Sequence, residues 1–277
     1  MVKADISMEK LRDYEYLMSH FYTVDSSTMA DEGLINADKL MGKDMKLNPD
    51  TKGAKVLIVE EEVSAPSDVT VIQVTDTRYA MAFISAAWFG HPAEKLKTIG
   101  ITGTKGKTTT TYMVKSILEN AGYKVGLIGT IEAIIGNKII PASNTTPESY
   151  VVQEYFHEMV EAGCECCVME VSSQAMKMHR VAGIHFNYGL FTNISPDHIG
   201  KDEHADFAEY LYYKKQLFHQ CDRALINVDD EHIDDIVKDI PCAWTGFGLK
   251  EGAGFQAENI HYVSEPDFVG VEFDIRG

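Results

Sequence analysis

The sequence predicts an α/β protein, a doubly wound and mostly parallel sheet preceded by a small α/β unit. Three observations predict it. From Lys97 onward, short apolar runs alternate with amphipathic helical stretches, the pattern of strands paired in parallel through helical crossovers. A glycine-rich turn, Gly103-Thr104-Lys105-Gly106-Lys107-Thr108, joins the first of those runs to the first helix. Three polar segments follow predicted strands, where open parallel sheets collect ligands.

The elements read in order as follows. Residues 1–95 form the small unit, with a polar loop over 36–55, β-rich runs at Val56–Val59 and Val69–Ile72, and a buried helix from Thr77 to Phe89. Residues 96–277 form the second unit. Its expected strands are Thr98–Thr102, Val125–Ile128, Cys166–Val171, Gly189–Thr192 and Ala224–Val228, and its expected helices Lys107–Ala121, Glu148–Ala162 and His204–His219. Leu127–Pro141, with Gly136-Asn137 at a turn, reads as a hairpin excursion. No internal repeat or low-complexity tract is visible.

Bulk properties exclude several classes. A chain of 277 residues with 45% hydrophobic content has enough apolar side chains for a sizeable core. A net charge of −17 argues against a general nucleic-acid or anionic-membrane partner, which needs a basic surface. A nucleotide remains compatible, because its phosphates need only a local cationic cradle. The acidic run from Asp229 to Asp235 reads as an exposed helix start. The uncharged stretch Tyr79–Ala93 falls short of the about 18 residues of a membrane span. No basic leader with an apolar core is visible, so a cytoplasmic protein is expected. Five cysteines without an export signal fit reduced, buried thiols, and the Cys164, Cys166, Cys167 cluster reads as core strand rather than metal site.

The glycine loop carries the chemistry. Its backbone N–H groups and the following helix start suit phosphate oxygens. Lys107 would reach the outer phosphates and the Thr108 hydroxyl would ligate magnesium. The strict motif fails, because Ile101 stands where its first glycine belongs. The plain alternative is a strand-to-helix turn bearing an exposed lysine.

The other polar segments are Glu170-Val171-Ser172-Ser173 and Asn193–His198. Glu170 ends an apolar run, so its carboxylate needs either magnesium or a hydrogen-bonding partner such as a helix start. His198 is either a ligand or a structural hydrogen-bonder. Phe207, Leu211, Lys214 and Phe218 share a helical face, which puts Lys214 in an apolar stripe and turns Lys215 away. Lys214 is then either a snorkelling lysine or a buried one of lowered pKa.

Assembled, these segments resemble the Mur ligases, the ATP-dependent amino-acid-adding enzymes of peptidoglycan synthesis, and most of all the MurE type. The resemblance rests on Thr102–Thr109, Asn144-Thr145-Thr146-Pro147, Met169–Ser173, His179-Arg180-Val181, Phe191-Thr192-Asn193, Asp197-His198 and Lys214–Phe218, in family order. It implies that Gly103, Thr104, Lys105, Gly106, Lys107, Thr108 and Thr109 hold ATP. It implies that Thr108, Glu170, His198 and Lys214 serve Mg2+, with Lys214 carbamylated, and that Lys107, Glu170 and Lys214 are catalytic. Ser26, Asn144, Thr145, Thr146, Ser172 and Arg180 would hold UDP-MurNAc-L-Ala-D-Glu, and a diamino acid would be the second partner.

The sequence departs from the family pattern at Lys105, where many members carry Asn, and at Ser27, where an Arg of the uridine motif is expected after Asp25-Ser26. Met178 and the residues after His198 also differ. Family members continue into a third domain, which selects the amino acid and completes the ATP site. A folylpolyglutamate or cyanophycin-type ligase is a second reading, disfavoured by Thr145-Thr146-Pro147 and Arg180. A non-catalytic nucleotide-binding remnant of a ligase is a third. A kinase or GTPase is disfavoured by Lys214 and the missing first glycine.

Overall fold

A computed structural model describes residues 56–277 except 63–66, 68–69, 202 and 266–267. The expected loop over 36–55 and the Asp25-Ser26 segment lie outside the described residues.

Two short strands, β1 (Val56–Val59) and β2 (Thr70–Gln73), pair in parallel in a sheet of their own. Helix α1 (Thr77–Trp88) follows. It begins where the Asp76 side chain accepts from the Tyr79 N–H at 2.7 Å, satisfying one of the orphan donors of a first turn. After a 3-10 turn at Pro92–Lys95 the chain enters the main sheet.

That sheet is built from β3 (Lys97–Thr102), β4 (Val125–Ile128), β5 (Glu132–Ile135), β6 (Lys138–Pro141), β7 (Cys166–Glu170), β8 (Phe186–Phe191), β9 (Cys221–Asn227), β10 (Ala243–Gly248), β11 (Phe255–Glu265) and β12 (Phe268–Arg276). The spatial order is β12-β11-β10-β9-β8-β3-β7-β4-β5-β6. Pairing is parallel from β11 through to β4, and antiparallel at both ends, for β11 with β12, β4 with β5, and β5 with β6. The helices are α2 (Lys107–Asn120), α3 (Ser149–Glu161), α4 (Ser173–Lys177), α5 (Phe207–Lys215) and α6 (Ile233–Val237).

Strand β3 has β7 on one side and β8 on the other. The chain leaves β3 toward β4 and later crosses back to β8, so the winding reverses beside β3. Ile101 pairs with Glu170 and Thr102 with Phe191, which puts the carboxyl ends of β3, β7 and β8 side by side. The three polar segments picked out in the sequence therefore meet at one edge of the sheet, at a topological switch point. Phe156, Met159, Cys167, Met169 and Phe186 fill the core beneath.

Several expectations shift. The helix expected over 204–219 spans only Phe207–Lys215, because the Asp206 carboxylate caps it through the Glu209 N–H at 2.8 Å, and residues 216–220 tighten into a 3-10 turn. Its buried face is turned from the expected stripe: Tyr210 and Lys214 are fully buried, while Phe207 and Leu211 are half-buried. The acidic run is a solvated helix start only in its second half, where Asp234 and Asp235 are exposed in the first turn of α6. Asp229 accepts from the Leu249 and Lys250 N–H groups, and Asp230 from those of Ile194 and His232. Strands β10 to β12 were not foreseen. The unit division near residue 95 is a reading of sequence pattern; among the described residues α1 packs on α3.

Candidate functional site

The loop after β3 is held in shape by its own chain neighbours. Gly103 has φ 144, and a Cβ there would meet Thr192 Oγ1 at 2.0 Å and the Asn193 carbonyl oxygen at 3.0 Å. Only glycine fits both the conformation and the space. Gly106, at φ 81, turns the chain into α2 and leaves that helix without a side-chain cap. The first-turn N–H groups of a helix have no intrahelical partner and carry partial positive charge. An uncapped start after a tight loop is thus a natural anion seat.

Not all of the loop is open to a ligand. The Thr104 N–H donates to the Asn193 carbonyl at 2.8 Å. The Lys105 N–H donates to Asn193 Oδ1 at 2.9 Å, and Asn193 Nδ2 returns a bond to the Lys105 carbonyl at 2.9 Å. Thr192 Oγ1 also donates to that carbonyl, at 2.8 Å. The Thr104 hydroxyl accepts from the Ser195 N–H at 3.0 Å and from the Tyr210 hydroxyl at 3.1 Å. Thr104 and Lys105 therefore lock the loop to the segment after β8, and the backbone left to face an anion is that of Gly106, Lys107, Thr108 and Thr109.

Two lysines converge on one carbonyl oxygen. Lys107 Nζ donates to the Gly103 oxygen at 3.0 Å and the Thr104 oxygen at 3.1 Å, and Lys214 Nζ donates to the same Gly103 oxygen at 2.8 Å. Lys214 is 1% exposed and its ammonium sits 4.5 Å from the Tyr210 ring centroid, a cation–π contact. Burial, and then the Lys107 charge, hold its pKa well below the ordinary lysine value, opposed by Asp197. Burial also lowers the pKa of Lys107, against the pull of Glu170 and Asp197. Two cations cannot cheaply share one acceptor away from water, so the more buried amine is the one driven toward the neutral form.

Glu170 is 1% exposed. Its Oε1 accepts from the Thr130 N–H at 2.9 Å and its Oε2 from the Thr130 hydroxyl at 3.0 Å. Both bonds come from neutral donors and leave lone pairs of the carboxylate unused beside Lys107. His198 has φ 53, its side chain is 49% exposed, and its Nδ1 lies 2.8 Å from Glu203 Oε1. Its ring lies 6.0 Å from that of Tyr210, so His198 and Lys214 flank the same phenol. Burial, then Asp197 and Glu203, push the Tyr210 hydroxyl up to about 12.

Among the described residues no group of three His, Cys, Asp or Glu side chains is arranged to hold a metal by itself. Thr108 and Glu170 bring a hydroxyl and a carboxylate oxygen to the adjacent ends of β3 and β7, and His198 follows the neighbouring β8. The two oxygen donors suit Mg2+, which takes few protein ligands and completes its shell with water and phosphate oxygens.

The remaining expected contacts lie on the β7–β4 side. The Thr145 hydroxyl donates to Thr130 Oγ1 at 3.1 Å, and Asn144 is exposed at a small cleft of about 130 Å³ also lined by Gly129, Pro147 and Glu148. Arg180 donates to the Thr146 carbonyl at 3.2 Å and pairs with Glu148 at 2.7 Å, and Glu148 also holds Arg78 of α1 at 3.2 Å. Thr146 is fully buried; its hydroxyl donates to the Glu170 carbonyl at 2.8 Å and accepts from the Ser172 N–H at 3.1 Å. Ser172 Oγ caps α4 through the Ala175 N–H at 3.1 Å. In this conformation Thr146 and Ser172 shape the turn after Glu170, with Ser172 half-buried. Ser26 lies outside the described residues.

Sequence reasoning gave no role to Thr130, His204 and Tyr210, and named Asn193 and Asp197 only within a polar segment and the family motifs. Tyr210 was within reach, one turn before Lys214 on the same face. His204 is fully buried with Nε2 2.9 Å from Ser173 Oγ, tying α4 to the approach of α5. The partners of Thr130 and His204 lie 40 and 31 residues away, and nothing local marks either residue.

Fold and loop together define a phosphate-loop α/β protein whose switch-point edge gathers two lysines and a buried carboxylate. The profile of the Mur ligase middle domain matches residues 101–274, and the chain belongs to the Mur ligase family. A UDP-N-acetylmuramoyl-L-alanyl-D-glutamate--2,6-diaminopimelate ligase of Clostridium perfringens (strain 13 / Type A) is 53% identical over 189 residues, covering 68% of this chain and 39% of that protein. The enzyme of that name from Clostridium botulinum (strain ATCC 19397 / Type A) is 44% identical over 225 residues, covering 80% of this chain and 45% of its own length. A solved structure of a ligase so named shares the fold, with a TM-score of 0.66 at 22% identity over 79% of this chain and 44% of that one. The chain thus spans less than half the length of these relatives.

Proposed function

We propose that this chain is the ATP-handling and UDP-substrate-handling part of a ligase that adds a diamino acid, diaminopimelate or lysine, to UDP-MurNAc-L-Ala-D-Glu in the cytoplasm. The observation that carries the proposal is the meeting of Lys107, Lys214 and Glu170 around the loop at Gly103. ATP phosphates would displace Lys107 Nζ from the loop carbonyls and take its charge, while the N–H groups of residues 106–109 receive the phosphate oxygens. The acceptor carboxylate of the UDP substrate would attack the terminal phosphorus, giving an acyl phosphate and ADP. The amino group of the diamino acid would then displace phosphate and form the amide. Bound Mg2+, held by Thr108, Glu170 and His198, would offset charge on the transferring phosphoryl group. Lys214, buried and driven toward its neutral amine, is suited to capture carbon dioxide as a carbamate. Asn144, Thr145 and Arg180 stand on the side from which the UDP substrate would approach.

The test is ADP release by the full-length protein carrying this chain. ADP should accumulate only when UDP-MurNAc-L-Ala-D-Glu and a diamino acid are both present. Release with the nucleotide alone, or with a folate and glutamate instead, would overturn the proposal.

A further inference from the structure

Away from the loop edge, two thiols of different exposure face each other. Cys221 opens β9 and is buried, while Cys242, directly before β10, is half-buried. Their sulfurs are 3.6 Å apart. Ala243 pairs with Arg223, so Cys242 sits one residue beyond the position level with Cys221 on the neighbouring parallel strand. A strand spacing of about 4.8 Å and an offset of about 3.3 Å put their α-carbons about 6 Å apart. A disulfide spans about 4.4–6.8 Å between α-carbons, so the bridge needs little backbone movement. The other three cysteines are placed differently: Cys166 and Cys167 are consecutive in β7 and point to opposite faces, and both are buried with Cys164.

We infer that Cys242 and Cys221 form a thiol–disulfide exchange site, in which Cys242 attacks a small disulfide arriving from solvent and Cys221 resolves the adduct into an internal cystine. The Cys242 thiolate attacks one sulfur of the small disulfide, forming a mixed disulfide and releasing one small thiolate. Cys221 then gives its proton to solvent and attacks Cys242 Sγ, expelling the second small thiolate. Two cysteine thiols lose two electrons in all, and one small disulfide becomes two thiols.

The asymmetry sets the order. Burial pushes the Cys221 thiol up to about 12, and Cys242 beside it adds to the rise. Cys221 is therefore a poor first nucleophile. Capping Cys242 as a mixed disulfide removes the part of that rise which Cys242 causes, and places a bonded sulfur directly in front of Cys221. The bridge would close the segment that carries Asp230, whose Oδ2 accepts from the Ile194 N–H at 2.7 Å beside the loop clamp at Asn193.

The experiment uses the reduced full chain, incubated with oxidised glutathione, quenched in acid, unfolded and alkylated. Peptide mass mapping should show Cys221 joined to Cys242, with Cys164, Cys166 and Cys167 alkylated. The Cys221→Ser variant should stop with glutathione on Cys242, and Cys242→Ser should take up neither glutathione nor a bridge. Full alkylation of all five cysteines after native incubation would overturn the inference. So would a bridge formed only in denaturant, stable glutathione on Cys242 of the parent chain, or glutathione on Cys221 of the Cys242→Ser variant.

Discussion

Strand β7 reads Cys166-Cys167-Val168-Met169-Glu170 and is buried along its whole length. Strand β12 alternates Val269, Val271, Phe273 and Ile275 with small or charged residues, and those four apolar side chains are exposed, as is Tyr262 on the paired β11 at 88%. β7 lies between β3 and β4 under helices, so both of its faces are covered. β12 is an edge strand with one neighbour, and among the described residues no helix packs against it. The difference teaches where this fold can hold a reactive group. A carboxylate at the end of β7 is fixed by packing on every side and oriented by the Thr130 N–H and hydroxyl. The same group on β12 would be an ordinary solvated acid.

Substitutions can break or sharpen this contrast. The largest effect is expected for Gly103→Ala at the β3 loop, where the Cβ would meet Thr192 and the Asn193 backbone at an unfavourable φ. A loss of about 3 kcal/mol or more follows from strain and overpacking together, read as a fall in the urea midpoint. An unchanged midpoint would show that the loop is looser than the packing implies.

Next comes Lys214→Met. With a folded pKa lowered below the unfolded value near 10.5, the unfolded chain binds a proton that the folded chain does not, in the window between the two. Stability should rise with pH across that window by up to about 1.4 kcal/mol per pH unit from this group. The gain is complete above the unfolded pKa and absent below the folded one. Lys107 and Asp197 face the same amine and remain in the variant. The difference between the two pH–stability curves therefore isolates Lys214, and parallel curves would mean the amine is not held neutral.

Asn193→Ala removes both arms of the clamp on Lys105. A cost of about 1–3 kcal/mol is expected from the unpaired backbone groups, with weaker ATP retention in equilibrium dialysis. Retention equal to the parent would make the clamp irrelevant to the loop. The smallest effect is expected for Val271→Thr on β12, within about 0.5 kcal/mol in thermal unfolding. A loss like that of a core position would show that something covers this face.

The central pattern was legible because helices and buried parallel strands leave strong local signals. Residues 98–102, 125–128 and 166–170 are apolar runs between helical stretches, and the structure places β3, β4 and β7 on them. β10 and β11 left no such signal. Gly246 and Gly248 interrupt the first, and Gln256, Glu258, Asn259 and His261 make the second polar. At the site, the glycine loop and the lysine in an apolar stripe could be read from spacing. The Asn193 clamp reaches across 88 residues, the Thr130 bond to Glu170 across 40, and the Tyr210 bond to Thr104 across 106.

The sequence by itself determined the α/β class, the strand–loop–helix at residues 97–120 and the set of residues that resembles the Mur ligases, because each is written in local periodicity or a short motif. Only the tertiary structure decided which loop N–H groups stay open, that Lys107 and Lys214 share the Gly103 carbonyl, and that Glu170 is held by Thr130. Those outcomes depend on which strands lie side by side, and strand order is set by long-range packing rather than by any segment's own residues.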